Sequence, residues 1–318
     1  MPIRLLDLEP AANDDEQELV GGLSRDPKHI SPKYFYDETG SKLFEQICEQ
    51  PEYYPTRTEL GIMEQNIDEI TALCGPRASV IEFGSGSSLK TRLLLEHLVE
   101  PAAYVPVDIS RDRLLEAAEE LAGDYPDIEV LPVRADFTRP FELPQPKVMP
   151  ERNIVYFPGS TIGNFQNPEA VALLRVMREE ARNDGALLIG VDLEKPKDVV
   201  EPAYNDAAGV TADFNLNVLR RLNREYDATF DLEAFRHHAL FDDDHSRIEM
   251  RLISLKHQAI HVAGERFELD EGEYIVTEHS HKYAPEQFAR MAEEAGFSLE
   301  QVWTDRDDMF SVQFLVAN

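Results

Sequence analysis

A glycine-rich turn and two aspartates further along carry side chains suited to holding a charged nucleoside. Glu82-Phe83-Gly84-Ser85-Gly86-Ser87 sets two glycines one residue apart. Glycine adopts positive φ and lets a ligand come close to the backbone. At Asp108 a carboxylate can accept both hydroxyls of a ribose. Asp136-Phe137 joins an acceptor for an adenine amino group to a ring that can pack on the base. A dinucleotide fingerprint would place a third glycine where Leu89 stands. The phosphate-loop pattern is also unmatched, although Lys90 lies close to the glycines. Glu82, just before the turn, suits a cationic sulfonium with an amino-acid tail better than a diphosphate. The pattern points to S-adenosylmethionine, with a nicotinamide cofactor as the weaker alternative.

Metal chemistry finds less support. His237, His238, His279 and His281 form two short clusters, but no cysteine or carboxylate spacing completes a tetrahedral site. Asp242-Asp243-Asp244 lacks the glycine and terminal glutamate of a calcium loop. Cys48 and Cys74 show no paired spacing and read as reduced, buried or subsurface thiols.

The elements that must position these residues alternate. Ala78–Phe83 reads as a strand ending in the glycine turn, and Lys90–Val99 as an amphipathic helix. Ala103–Val107 is a second strand ending at Asp108, followed by a helix over Asp112–Leu121. Ile128–Val133 is a third strand leading to Asp136, and Arg152–Phe157 a fourth leading to Gly159 and Asn164. Pro168–Asn183 is helical and Ala186–Val191 is a fifth strand. Such alternation implies a parallel sheet covered on both faces. Upstream, residues 1–25 are acidic and polar and read as loosely ordered. Lys42–Gln50 is a short helix, and Thr58 caps another running to Thr71. Downstream the alternation stops. Asp198–Asp206 and Asn215–Tyr226 read as helices; Glu233–Leu240, Arg247–Gln258, Gln258–Ala263 and Glu273–Thr277 read as strands of an antiparallel insertion. Pro285–Gly296 is helical, and Leu299–Thr304 with Met309–Val316 forms a closing hairpin. The expected division is a doubly wound core over 61–195 and 284–318, and a second lobe over 1–60 and 196–283.

Composition narrows the function. The chain has 318 residues, 42% of them hydrophobic, enough for a sizeable core in two domains. Its 31 basic and 61 acidic residues leave a net charge of -30, which repels phosphate backbones and argues against nucleic acid as a partner. No apolar run is long enough to span a bilayer, and the N-terminus lacks the basic-then-apolar pattern of a secretory signal. A cytoplasmic protein acting on a small molecule is expected.

With these residues assembled, the chain resembles the histidine-specific, S-adenosylmethionine-dependent Nα-methyltransferases. The resemblance runs from about Ser31 to Val316. It is carried by Tyr34-Phe35-Tyr36-Asp37-Glu38-Thr39-Gly40-Ser41, Pro51-Glu52-Tyr53-Tyr54-Pro55-Thr56-Arg57-Thr58-Glu59 and Gly84-Ser85-Gly86-Ser87-Ser88-Leu89-Lys90-Thr91. Further along come Phe157-Pro158-Gly159-Ser160-Thr161-Ile162-Gly163-Asn164-Phe165, Ala203-Tyr204-Asn205-Asp206 and Thr277-Glu278-His279-Ser280-His281-Lys282-Tyr283. The resemblance implies a Rossmann-like, doubly wound methyltransferase core that binds S-adenosylmethionine, with a second α+β lobe that binds substrate. It implies cofactor contacts from Tyr53, Gly84, Lys90, Asp108, Asp136 and Phe137, and no metal. It also implies that Asn164 and Tyr204 hold the amino acid's carboxylate and amine, helped by Tyr53 and the Gly159 backbone. Tyr36 would lie near the α-amine, Glu278 and Ser280 would read an imidazole, and Phe44 and Met250 would line the side-chain pocket.

The implied reaction is displacement of methyl from a sulfonium by a neutral amine, repeated three times on L-histidine to give hercynine on the route to ergothioneine. The carbon is already activated, so the protein chiefly positions the reactants. Tyr36 is the expected residue for orienting the amine and passing protons, and the enzyme is expected to be a monomer. Two alternatives stay open at this point. One is N-methylation of another aromatic amino acid, such as a tryptophan derivative; the other is a catalytically silent module that binds S-adenosylmethionine.

Overall fold

Apolar strands and amphipathic helices in alternation build the first of two units. The structure, a computed structural model, describes residues 3–8, 12–85 and 88–318; Gly86 and Ser87 of the glycine-rich turn lie outside the described residues. One unit comprises Met1–Pro10, Pro55–Glu194 and Tyr283–Asn318, and the other Ala11–Tyr54 and Lys195–Lys282. In chain order the elements begin with β1 (Leu6–Asp7), α1 (Ala12–Leu23), β2 (Lys28–His29), α2 (Glu38–Cys48) and α3 (Pro55–Cys74). There follow β3 (Ala78–Phe83), α4 (Ser88–His97), β4 (Ala103–Asp108), α5 (Arg111–Asp124), β5 (Val133–Arg134), β6 (Arg152–Phe157), α6 (Asn167–Ala181) and β7 (Ala186–Asp192). After these come α7 (Lys197–Ala203), α8 (Val210–Glu225), β8 (Phe235–Asp242), β9 (Arg247–Ser254), β10 (Gln258–Val262), β11 (Glu265–Leu269) and β12 (Tyr274–His281). The chain closes with α9 (Pro285–Glu294), β13 (Phe297–Thr304) and β14 (Phe310–Ala317).

In the first unit eight described strands form one sheet, ordered β1-β5-β4-β3-β6-β7-β14-β13. Strands β1 to β7 of that order run parallel, β14 runs antiparallel to β7, and β13 antiparallel to β14. Side-chain alternation sorts its two faces. Ile81 and Phe83 of β3 pack with α6 and α9 residues such as Leu174 and Phe288. Ala78 and Val80 pack on the other face with Ile62, Ile70 and Leu94 of α3 and α4. This is the doubly wound, Rossmann-like architecture expected from the alternating text.

The second unit carries a four-stranded sheet, β2-β12-β9-β8, and the β10-β11 hairpin. Its apolar core draws on α1 through Leu19 and Leu23, on α8 through Phe214, Val218 and Leu222, and on the sheet through Ile248, Leu252 and Ile275. The β12 register shifts between Val276 and Glu278, a bulge at Thr277.

Several expectations are corrected. Residues 12–23 are helical, because burying Leu19 and Leu23 overrides the acidic composition around them. Helix α3 opens at Pro55, which has no N–H to lose at a first helical position, so Thr58 lies inside the helix. The third strand shrinks to Val133–Arg134, since Pro132 cannot donate to a ladder; Val130 makes only an isolated bridge to Tyr104. Strand β11 was unforeseen, and β12 continues past Thr277 to His281. Residues 1–10 and 55–60 group with the sheet unit rather than with the second lobe.

Candidate functional site

Four parallel strands of the first unit carry candidates at their carboxyl ends, those for the nucleoside after the first three and those for the amino acid after the fourth. Gly84 follows β3, Asp108 ends β4, Asp136 and Phe137 follow β5, and Gly159 and Asn164 follow β6. Neighbours β4 and β6 flank β3, so the strand order reverses direction there, the usual ligand position in such sheets. Gly84 has φ +75 and its N–H donates to Val107 O at 2.8 Å. A Cβ on Gly84 would lie 3.7 Å from Phe137 Cε1, so the turn and the ring are neighbours. Phe137 also sits 5.5 Å from the Phe83 ring and 5.9 Å from that of Phe157. Burial raises the Asp108 carboxyl above its ordinary range, against the Ser110 N–H that donates to it at 2.8 Å and the nearby Arg113 charge. Asp136 accepts from Thr138 through both N–H (3.0 Å) and hydroxyl (2.6 Å), which folds the turn that carries Phe137.

Two acidic residues here are internal struts. Glu82 shares the face of Ala78 and Val80, and therefore points beneath α4 rather than towards a ligand. Thr91 Oγ1 lies 2.9 and 3.0 Å from its two oxygens, and the Tyr104 hydroxyl donates to it at 2.5 Å. Burial lifts its carboxyl to about 7, with the hydrogen bonds from Tyr104 and Thr91 opposing. The expectation that Glu82 meets the sulfonium is thus overturned by strand parity. Glu59 of α3, which the sequence did not single out, pairs with the Lys90 ammonium and accepts the Gly159 N–H at 2.9 and 3.0 Å. Lys90 and the Gly159 N–H are consequently tied to each other through one buried carboxylate.

The second unit gathers the other candidates into one chain of contacts. Tyr36 meets Phe44 edge-on at 5.8 Å, Phe44 meets Tyr53 at 6.2 Å, and Tyr53 meets Tyr204 at 6.1 Å between ring centroids. Tyr204 OH lies 2.7 Å from Ser280 Oγ. Ser280 and Glu278 alternate onto one face of β12, and Glu278 stands opposite Met250 of β9. Tyr36 and Phe44 are half-buried, whereas Tyr53, Tyr204, Met250, Glu278 and Ser280 are buried. Tyr53, expected to touch both cofactor and substrate, belongs to this group.

Electrostatics make the Glu278 end distinctive. Burial pushes its carboxyl up to about 7, and the Lys282 charge pulls against that rise. Lys282 was not foreseen as a site residue, because lysine is ordinarily exposed; here it is 1% exposed and donates to Ser280 Oγ and Tyr204 OH. A second unforeseen group holds Tyr204 from behind. Thr277 donates to Asn215 Oδ1 at 2.7 Å, Asn215 Nδ2 lies 2.9 Å from His237 Nδ1, and His237 Nε2 lies 2.8 Å from the Tyr204 carbonyl. The carbonyl only accepts, so His237 carries its proton on Nε2 and accepts at Nδ1. Burial lowers the His237 pKa, in keeping with a neutral ring.

His279 alternates onto the opposite face of β12, 5.9 Å from the His29 ring and 3.4 Å from Glu249. Against desolvation, hydrogen bonds from His279 and Arg251 hold the Glu249 carboxyl down at about 2. Among the described residues, no group of three or more His, Cys, Asp or Glu side chains is placed to hold a metal ion.

Comparison with known proteins bears on both groups. Residues 15–317 match a family described as histidine-specific, S-adenosylmethionine-dependent methyltransferases. The chain is 38% identical to the histidine N-alpha-methyltransferase of Mycolicibacterium smegmatis, over 97% of this chain and 96% of that one. It is 36% identical to the histidine N-alpha-methyltransferase of Mycobacterium tuberculosis, over 93% and 92% of the two chains. Among solved structures, an S-adenosylmethionine-dependent methyltransferase from Clostridium acetobutylicum shares the fold with a TM-score of 0.51. That likeness covers 87% of this chain and 98% of the other, at 9% identity.

Proposed function

Since the chain belongs to the histidine-specific, S-adenosylmethionine-dependent methyltransferases, we propose that it transfers three methyl groups to the α-amine of L-histidine. The product would be hercynine, a precursor of ergothioneine. The residues present suit the methyl donor. Ser85 Oγ in the glycine turn is buried with no partner among the described residues, and the Asp108 carboxyl is held where protein replaces water. Gly84, Lys90, Asp108, Asp136 and Phe137 would hold it. When bound, S-adenosylmethionine supplies a methyl carbon activated by a positive sulfur, so the carbon–sulfur bond breaks as the carbon–nitrogen bond forms and S-adenosylhomocysteine leaves.

The chain's own residues then have three tasks. Tyr36 and Tyr204 orient the amine and carboxylate, and each transfer releases one amine proton to solvent before the next can occur. The aromatic row of Tyr36, Phe44 and Tyr53 suits an amine that becomes a permanent cation, an attraction of about 0.5–2 kcal/mol. Glu278 accepts a ring N–H, and Ser280 pairs with the second ring nitrogen.

The observation that carries the reading is the buried Glu278 carboxyl beside Ser280, opposite Met250: an acceptor and a hydroxyl at strand spacing. Leaving that acceptor unpaired penalises a ring without an N–H. The test is incubation with labelled S-adenosylmethionine and each of the twenty amino acids, with products weighed by mass spectrometry. Histidine bearing one, two and three methyl groups in succession is expected. Label on tryptophan rather than histidine, or on no amino acid, refutes the proposal. We further propose that the enzyme works in the cytoplasm, which its two cysteines without paired spacing favour, and as a monomer, which light scattering on the purified protein checks.

A further inference from the structure

Ser280 can in principle donate to a substrate ring or accept from it, and its surroundings decide between the two. Lys282 follows it by two residues, its backbone anchored by a 2.7 Å hydrogen bond to Ser246 O. Its buried ammonium lies 2.7 Å from Ser280 Oγ and 3.1 Å from Tyr204 OH, and those two hydroxyls lie 2.7 Å apart. An ammonium has donors only, so both oxygens accept from it. One hydroxyl must also donate to the other. A positive charge beside a phenol favours its release of a hydrogen, and the phenol is the more acidic of the two hydroxyls, so Tyr204 donates to Ser280. Both lone pairs of Ser280 Oγ are then filled, and its own hydrogen must point elsewhere.

We propose that Lys282 is a positioning residue that, with Tyr204, saturates Ser280 as an acceptor and thereby makes it an obligate donor to the substrate ring. The site then reads one tautomer of a neutral imidazole: an N–H towards Glu278, and a lone pair towards Ser280. This rests on the histidine reading above and extends it, because specificity now depends on a residue that acts through Ser280.

The test compares L-histidine with the two pyrrolylalanine isomers, which keep one ring N–H at either place and have no acceptor nitrogen. In wild type the unsatisfied Ser280 hydrogen penalises both isomers. In Lys282→Met, Ser280 can turn to donate to Tyr204, and the kcat/KM ratio of histidine to the better isomer should fall about tenfold. Affinity for S-adenosylhomocysteine, measured by calorimetry, should stay at the wild-type value. In a Ser280→Ala background, Lys282→Met should leave the ratio where Ser280→Ala alone puts it. Should Lys282→Met fail to fold by circular dichroism, Lys282→Leu, which likewise has no donor, carries the same criterion. A ratio unchanged in the folded variant, with all three substrates slowed alike, overturns the assignment of Lys282 alone. A wild-type enzyme that turns over pyrrolylalanine as well as histidine overturns the imidazole reading and this inference with it.

Discussion

Replacing Glu278 with glutamine should expose the charge on which the proposed ring recognition depends. The side chain keeps its size and one carbonyl acceptor, so it changes a charge-assisted hydrogen bond into a neutral one. The difference between those two kinds of bond is about 1–2 kcal/mol, or roughly 5–30-fold in kcat/KM for histidine. That penalty has a pH dependence fixed by the structure, since the carboxyl sits at about 7. Well above 7 wild type carries the carboxylate and leads the variant by the full factor. Below 7 it is increasingly protonated, and its lead should shrink towards unity. Plotting the wild-type to variant ratio of kcat/KM from pH 6 to about 9 cancels the titration of histidine itself and reports the free enzyme's group. Stability should respond with the opposite sense. Burial raises this carboxyl above its unfolded value, so the folded state binds the extra proton. The group costs nothing below about pH 4.3, and stability falls as pH rises through about 7, by up to roughly 3 kcal/mol. Glu278→Gln should therefore flatten that decline in urea denaturation. A ratio constant across the pH range, or an undiminished decline in the variant, would show that Glu278 is not a buried, proton-exchanging acceptor.

Three further substitutions separate the groups. Asp108→Ala should weaken S-adenosylhomocysteine binding about 10–100-fold by calorimetry while the KM for histidine changes far less; equal losses would contradict a ribose contact. Glu59→Ala strands the buried Lys90 ammonium and the Gly159 N–H, and should cost roughly 3–5 kcal/mol in denaturant unfolding. A loss below about 1 kcal/mol would mean that the pair is dispensable. In Gly40→Ala the new Cβ would stand 1.8 Å from Phe35 O, forcing backbone to move next to Tyr36. It should destabilise by roughly 1–3 kcal/mol and raise the KM for histidine more than the affinity for S-adenosylhomocysteine changes.

The core was legible because its strands are short, mainly apolar and rich in β-branched and aromatic residues: Ala78–Phe83 and Arg152–Phe157 fall where their composition puts them. What stayed hidden is set by tertiary context. Strand β11 is polar along most of its length and exists because the Ala263-Gly264 loop, with φ +49 and +81, turns it back onto β10. The glycine in a two-residue loop was the available signal. The pair Glu278 and Ser280 came from motif likeness, and its strand spacing agreed. Lys282 gave no warning, since only the folded chain shows its ammonium among hydroxyls. Glu82 misled for the converse reason: a carboxylate beside a glycine turn looks available until its strand parity is known.

The order of the sheet carries a consequence for biogenesis. Strand β7, all seven residues buried, is covered on one side by β14, whose sequence begins at Phe310. A ribosome must therefore deliver the whole insertion, residues 195–282, and then α9 and β13, before that apolar edge finds its neighbour. Until then the nascent chain offers an unpaired Ala-Leu-Leu-Ile-Gly-Val segment of the kind that templates aggregation. Stalling or truncation in the last stretch should thus leave an insoluble, chaperone-bound product rather than a shortened but native one.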